Sequence, residues 1–161
     1  EKKMSAVFFA ALQARGWTLV PSHKLSAASI PARYPELPAE LSAFLTSFES
    51  LCSGDQTQWI LAASDYEVAP SSGFAWNEYE RMSLAGAAHD DAWSEEIKAF
   101  WKTHLPIFMS VKGSYSYAAY CCSGANAGRY VRGHEPEFEE VTVVASDLSG
   151  FQFWVLHEVN K

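Results

Sequence analysis

Positive charge is scarce in this chain. Twelve Lys and Arg stand against nineteen Asp and Glu, for a formal net charge of −7. Binding to a phosphate backbone depends on clustered Lys and Arg, so no nucleic acid is expected as a partner. Long apolar runs are also missing. No stretch approaches the roughly 18 residues of a membrane span, and no membrane role is expected. Cysteine is limited to three residues, Cys52, Cys121 and Cys122, which cannot all pair within one chain and have no metal-ligand spacing. They are expected to be reduced thiols of a cytoplasmic protein, with a strained vicinal disulfide as the alternative. Cys121 and Cys122 are neighbours in a strand-like run, so one should be buried and the other more exposed.

Signatures of chemistry are equally thin. His134-Glu135 begins like a zinc-binding helix, but Phe138 stands where the second ligand histidine belongs and Pro136 opposes the helix. The histidines at 23, 89, 104, 134 and 157 show no ligand spacing. Gly124-Ala125-Asn126-Ala127-Gly128 lacks the lysine and following helix of a phosphate-cradling loop and reads as a turn. No nucleophile-elbow pattern is present. The expectation is therefore no metal, no cofactor and no catalytic residue, in a chain that is not an enzyme.

What the chain does have is apolar and aromatic content. At 48% hydrophobic and 14% aromatic it is too apolar to remain disordered. Its 161 residues fit one domain with a sizeable core, and no repeat or linker divides 1–161. Lys2-Lys3 followed by an apolar centre superficially resembles a signal peptide. However, Met4, Val7, Phe8, Ala11 and Leu12 recur at the spacing of one helix face, and Arg15-Gly16 ends the pattern without a cleavage site. An amphipathic helix is expected there. A chain opening on Glu1 is expected to be a fragment or a processed form.

Further elements follow in order. Residues 17–20 have the character of a short strand within a loop-rich connection. Pro38 suits a first helical turn; Leu41, Phe44, Leu45 and Phe48 then form a stripe that includes Cys52 at its end, with Gly54 as the stop. Residues 58–62 read as a strand with Trp59 and Leu61 on one face, 65–73 as a surface excursion, and 76–87 as a weak helix. A stronger helix is capped by Asp90 or Asp91 and carries Trp93, Ile97, Phe100, Trp101 and His104 toward the core, until Pro106 stops it. From 105 to 144, β-rich segments separated by Gly, Ser and Asn breaks describe an antiparallel meander. Ser146 can cap a last helix carrying Leu148, Phe151 and Val155. The fold class expected is α+β, with a mainly antiparallel sheet packed against several helices.

Leu37-Pro38-Ala39-Glu40-Leu41, Trp59-Ile60-Leu61, Leu105-Pro106-Ile107, Gly128-Arg129-Tyr130-Val131 and Val144-Ala145-Ser146 occur in an order and spacing that resembles the SUKH superfamily. These are the Smi/Knr-like proteins of bacterial toxin-immunity systems and fungal cell-wall regulation, and the likeness covers most of residues 37–155. It departs from the family at Gly113-Ser114-Tyr115-Ser116, where the turn lacks the usual acid, so no role tied to that acid carries over. The resemblance implies a single Smi/Knr-like α+β domain with a non-catalytic, protein-binding role. The commonest such role is an immunity protein that neutralises a cognate toxin, a nuclease being one such toxin. The alternatives are an intracellular regulator or scaffold, and a small hydrolase.

The binding candidates are the acid-rich segments. Glu135, Glu137, Glu139 and Glu140 flank Phe138, and Asp90 and Asp91 open an acidic helix. Carboxylates of this kind steer a basic partner, here a basic toxin, and exposed aromatics such as Tyr130 or Phe138 are the expected anchors.

Overall fold

A computed structural model of the chain describes residues 2–22, 29–34, 36–67 and 74–161. In chain order these form α1 (Lys2–Ala14), β1 (Thr18–Pro21), α2 (Ala39–Leu45), β2 (Phe48–Cys52), β3 (Gln58–Ile60), a 3-10 turn (Ala63–Tyr66), α3 (Glu78–Gly86), α4 (Asp91–Trp101), β4 (His104–Ser110), β5 (Ser116–Cys121), β6 (Tyr130–His134), β7 (Thr142–Ala145) and α5 (Leu148–Glu158). The strands make one seven-stranded sheet in the order β1 to β7, each antiparallel to its sequence neighbour. The expected α+β class with an antiparallel meander is what the chain adopts, and the meander is longer than expected.

Side chains alternate between the two faces of the sheet, and helices cover both. Phe108 and Tyr130 meet Trp154 and Phe151 of α5 on one face. There α1 lies beside α5, joined by Gln152–Ser5 and Arg15–Asn160 hydrogen bonds, and α2 adds Phe44 against Phe8 and Phe9. On the opposite face Tyr117 meets Tyr79 of α3 and Trp101 of α4. Strands buried on both sides read as continuous apolar runs, and every residue of β4 and β5 is buried.

Several expectations are corrected. The stripe Leu41, Phe44, Leu45, Phe48 is not one helix: α2 stops at Leu45, and Phe48 and Cys52 lie in β2. The Thr46 hydroxyl donates to the Ser42 and Ala43 carbonyls, and that of Ser47 to Phe44. Hydroxyls of this kind compete with helix continuation, and pairing with β1 and β3 then draws the chain into a strand. Gly54 accordingly lies in the β2–β3 connection rather than at a helix end. Val7 points outward at 61% exposure, since α1 buries Phe8 and Leu12 instead. Trp93 is 47% exposed, so the buried face of α4 is Ile97 and Trp101. Pro106 does not end α4. It sits inside β4 at a register shift, where a strand tolerates a missing N–H. Strand β3 ends at Ile60, with Trp59 half-buried beside it. Asp65 and Tyr66 belong to the 3-10 turn, with Tyr66 buried, while residues 68–73 of the expected excursion lie outside the described residues. Asp147, not Ser146, caps α5, accepting from the Gly150 N–H at 2.7 Å.

His104 opens β4 and is buried, its ring stacked on Phe100 at 3.8 Å. Nδ1 lies 2.7 Å from the Phe100 carbonyl, which only accepts, so Nδ1 carries the proton. Burial pushes its pKa below the ordinary 6.5, against the pull of that hydrogen bond. A depressed folded-state pKa means that the neutral ring stabilises the fold above the unfolded value and that this contribution is lost as pH falls below it. Urea midpoints measured at pH 7.5 and 5.5 should therefore fall further in the wild type than in His104→Gln. The same titrations at neutral pH test the core. Ile97→Ala is expected to cost roughly 2–5 kcal/mol through lost burial and a cavity, and Trp93→Ala to stay within about 0.5 kcal/mol, as exposed positions do.

Candidate functional site

The segment leaving β6 is a structural clip. Gly133 pairs with Tyr117 across the β5–β6 ladder, and a Cβ at 133 would come within 2.7 Å of both the Tyr117 ring and the Phe138 carbonyl. Only glycine lets the returning chain approach this closely. The Tyr117 hydroxyl donates to that carbonyl, and the Tyr115 N–H donates to the Glu135 carboxylate. Phe138 then enters the core and stacks on Tyr79 at 4.6 Å with an interplanar angle of 11°. Glu139 accepts from Trp101 Nε1 at 2.9 Å and from the Ser83 hydroxyl at 2.8 Å, tying the clip to α4 and α3 together.

This arrangement divides the candidate residues. Phe138 is 4% exposed and Tyr130 1% exposed, so neither is a surface anchor; Tyr130 faces the other side of the sheet, under Phe151. Glu135 and Glu139 are half-buried and already engaged, while Glu137 and Glu140 remain exposed. The signal in the sequence was Trp101: a tryptophan on a core-facing stripe needs a partner for its indole N–H, and a nearby acid supplies it.

Asp90 and Asp91 lie elsewhere. Asp90 caps α4 by accepting from the Trp93 N–H at 2.9 Å, and Asp91 is exposed in the first turn. Ten residues separate Asp91 from Trp101, about 15 Å along the helix at 1.5 Å per residue, so the fold does not merge the two acidic segments. The N-terminal turns of α4 do hold an exposed aromatic, however. Trp93 has Asp90 and Glu96 as its neighbours at i−3 and i+3, and Glu95 is also exposed, in a 3.7 Å pair with Lys98.

The third feature is a cavity of about 350 Å³ beside β2 and β3. Its walls include Cys52, Trp59, Phe74 and Trp76, with Asp65 and Glu67 contributing carboxylates. Phe74 joins wall to core, meeting Trp59 at 5.8 Å and Tyr79 and Tyr115 at 5.7 Å. Trp76 is fixed edge-on by Tyr34 and Tyr66, and Arg33 lies 5.1 Å from its ring while pairing with Glu80 at 2.8 Å. Asp65 accepts from the Ala62 N–H at 2.8 Å. The residue is exposed overall, but partial desolvation pushes its carboxyl above the ordinary carboxylate range, the Ala62 bond working the other way. No sequence pattern signals this cavity, because its walls come from separated segments.

The remaining reactive groups are quiet. The three cysteines are free thiols, with Cys121 buried and Cys122 half-buried as expected from their alternation. Burial pushes Cys122 up to about 11, which keeps it protonated and a poor nucleophile. Among the described residues no group of three or more His, Cys, Asp or Glu is placed to hold a metal ion, and no helix is long and apolar enough to cross a membrane. In comparisons with known proteins, no family model and no curated protein matches this chain.

Division of the clip into structural and free acids is testable by denaturation. Glu139→Ala should cost roughly 1–3 kcal/mol, because the Trp101 indole N–H is left without its acceptor. Glu137→Gln and Glu140→Gln should each stay within about 0.5 kcal/mol. Equal effects at all three positions would remove the distinction.

Proposed function

We propose that this chain is a non-catalytic protein-binding domain that captures a basic protein partner. On its resemblance to the Smi/Knr-like proteins, we propose further that it works in the cytoplasm as an immunity protein, covering the working surface of a cognate toxin. The observation that carries the binding reading is the outer face of α4, where Trp93 is 47% exposed between Asp90 and Glu96, with Asp91 and Glu95 alongside. A large aromatic kept in water at a core-sized helix contributes little to folding. In an interface, tryptophan is among the residues that dominate affinity once desolvated, and surrounding carboxylates accelerate encounter with a cationic surface. The net charge of −7 acts in the same direction at longer range. Nucleases are commonly basic because they bind phosphate, and they match this surface as partners.

The test uses the protein captured when the neighbouring genes are co-expressed. The triple variant Asp91→Asn, Glu95→Gln, Glu96→Gln leaves the Asp90 cap in place and removes only exposed charge, whose contribution to stability is small. Its association with that protein should slow roughly tenfold at low ionic strength. The difference should vanish toward 1 M salt, where the Debye length is roughly 3 Å. Trp93→Ala should instead speed dissociation, at a cost of more than about 1 kcal/mol in affinity. Wild-type kinetics in both variants would take α4 out of the interface. Capture of a host protein in place of a neighbouring gene product would reassign the domain to regulation.

A further inference from the structure

We infer that the cavity beside β2 and β3 is a receptor for a guanidinium group carried on a polypeptide, an arginine of the protein partner. The inference deepens the proposed function and rests on its reading of a basic partner. The cavity combines apolar walls with negative charge. Trp59, Phe74 and Trp76 present aromatic surface, and Asp65 and Glu67 supply carboxylates. Its volume of about 350 Å³ is at the small end of ligand pockets, roughly 300–1,000 Å³, which suits a single long side chain.

The chemistry favours a planar cation. Guanidinium stacks on aromatic faces and forks onto carboxylates, whereas ammonium is a compact, strongly hydrated point charge. The protein uses this combination next door: Arg33 lies 5.1 Å from the Trp76 ring and 5.2 Å from that of Tyr34, and its fork meets Glu80 at 2.8 Å. Arg33 is thereby neutralised by Glu80. Asp65 has no such partner cation among the described residues, and its only hydrogen bond there comes from the Ala62 N–H. Asp65 is solvent-exposed, and an incoming guanidinium would supply the counter-charge that it lacks there. An apolar side chain in the same place would take water from the carboxylate without replacing it, which argues against Leu or Phe as the occupant.

Position points to the same partner. Cys52, Trp59 and Met109 occupy neighbouring register positions on the face of the sheet that also bears Tyr117, and that is the face covered by α3 and α4. The cavity and the Trp93 surface therefore belong to one side of the molecule.

The experiment titrates the 161-residue chain with N-acetyl-Gly-Arg-Gly-amide, following the indole N–H signals of Trp59 and Trp76 by two-dimensional NMR. Parallel titrations use the citrulline and lysine peptides and free agmatine. The expected result is saturable shifts with the arginine peptide and at least tenfold weaker binding of the citrulline peptide, with lysine between them. Asp65→Asn keeps an acceptor for the Ala62 N–H and should fold normally while losing at least tenfold in peptide affinity. Trp59→Ala, checked for folding by the unchanged signals of the other indoles, should also lose the binding. Equal shifts with citrulline, or none with arginine, overturn the inference. Agmatine binding tenfold tighter than the peptide overturns the polypeptide source. If the titration fails while the captured partner still binds with its salt-dependent association rate, the cavity reading falls and the proposed function stands. If the titration succeeds and no basic partner is captured, the proposed function falls and the guanidinium site stands.

Discussion

Much of this structure depends on one close approach, Tyr117 lying across Gly133. A side chain at 133 would hold the Phe138 carbonyl away from the Tyr117 hydroxyl, and the clip from 135 to 140 would have no seat. Without the clip, Phe138 leaves its stack on Tyr79, and Glu139 withdraws from both Trp101 and Ser83. Those contacts set α3 and α4 against the sheet. The exposed face of α4 is therefore positioned by a glycine more than thirty residues away. A backbone requirement in one strand fixes which side chains another helix shows to solvent.

The burial of both sheet faces explains what the sequence made legible and what it hid. Strands β4 to β7 could be read because glycine-marked breaks part β4, β5 and β6, an acidic Pro-containing segment parts β6 from β7, and each pairs with its chain neighbour. The Leu41-to-Phe48 stripe misled because its spacing is that of a helix face, and nothing local reveals that Thr46 and Ser47 turn their hydroxyls back onto the last carbonyls. Among the α4 aromatics, Trp93 and Trp101 are both one or two turns from Ile97, and only the packing partner decides that one is buried and the other is not. The acidic residues were legible as letters, but not as roles. Glu139 and Glu137 differ by two positions; one staples two helices and the other faces water, because Phe138 between them plunges inward.

Charge is handled differently in each of these places. Where a carboxylate is buried for structural reasons it is matched, Glu80 by Arg33 and Glu139 by an indole N–H and a hydroxyl. Matching of this kind is the general condition for burying polar groups without loss. Asp65 is exposed instead, and its carboxylate holds a single backbone donor. That carboxylate lines the aromatic-walled cavity, where it remains available to a cation.

The distribution of these features over the two sides of the sheet is uneven, and the unevenness has a physical basis. On the side of α1, α2 and α5, helices join one another through Phe8, Phe9 and Phe44 and lock onto β6 through Arg132 and Glu158, 3.8 Å apart. On the other side α3 and α4 cover the middle of the sheet, over β4 and β5, and the described part of the β2–β3 flank stays open as the cavity. Trp93, Glu137 and Glu140 are carried by the same layer, since the clip is bound to both of its helices. A partner that approaches from this side meets acid, an exposed indole and a concave aromatic pocket; one that approaches from the opposite side meets α1, α2 and α5, where Val7 is 61% and Phe153 73% exposed. Carboxylates accompany the exposed indole on the side of α3 and α4, so a basic partner is expected there, whereas Phe153 and Val7 offer the other side apolar surface without charge of their own.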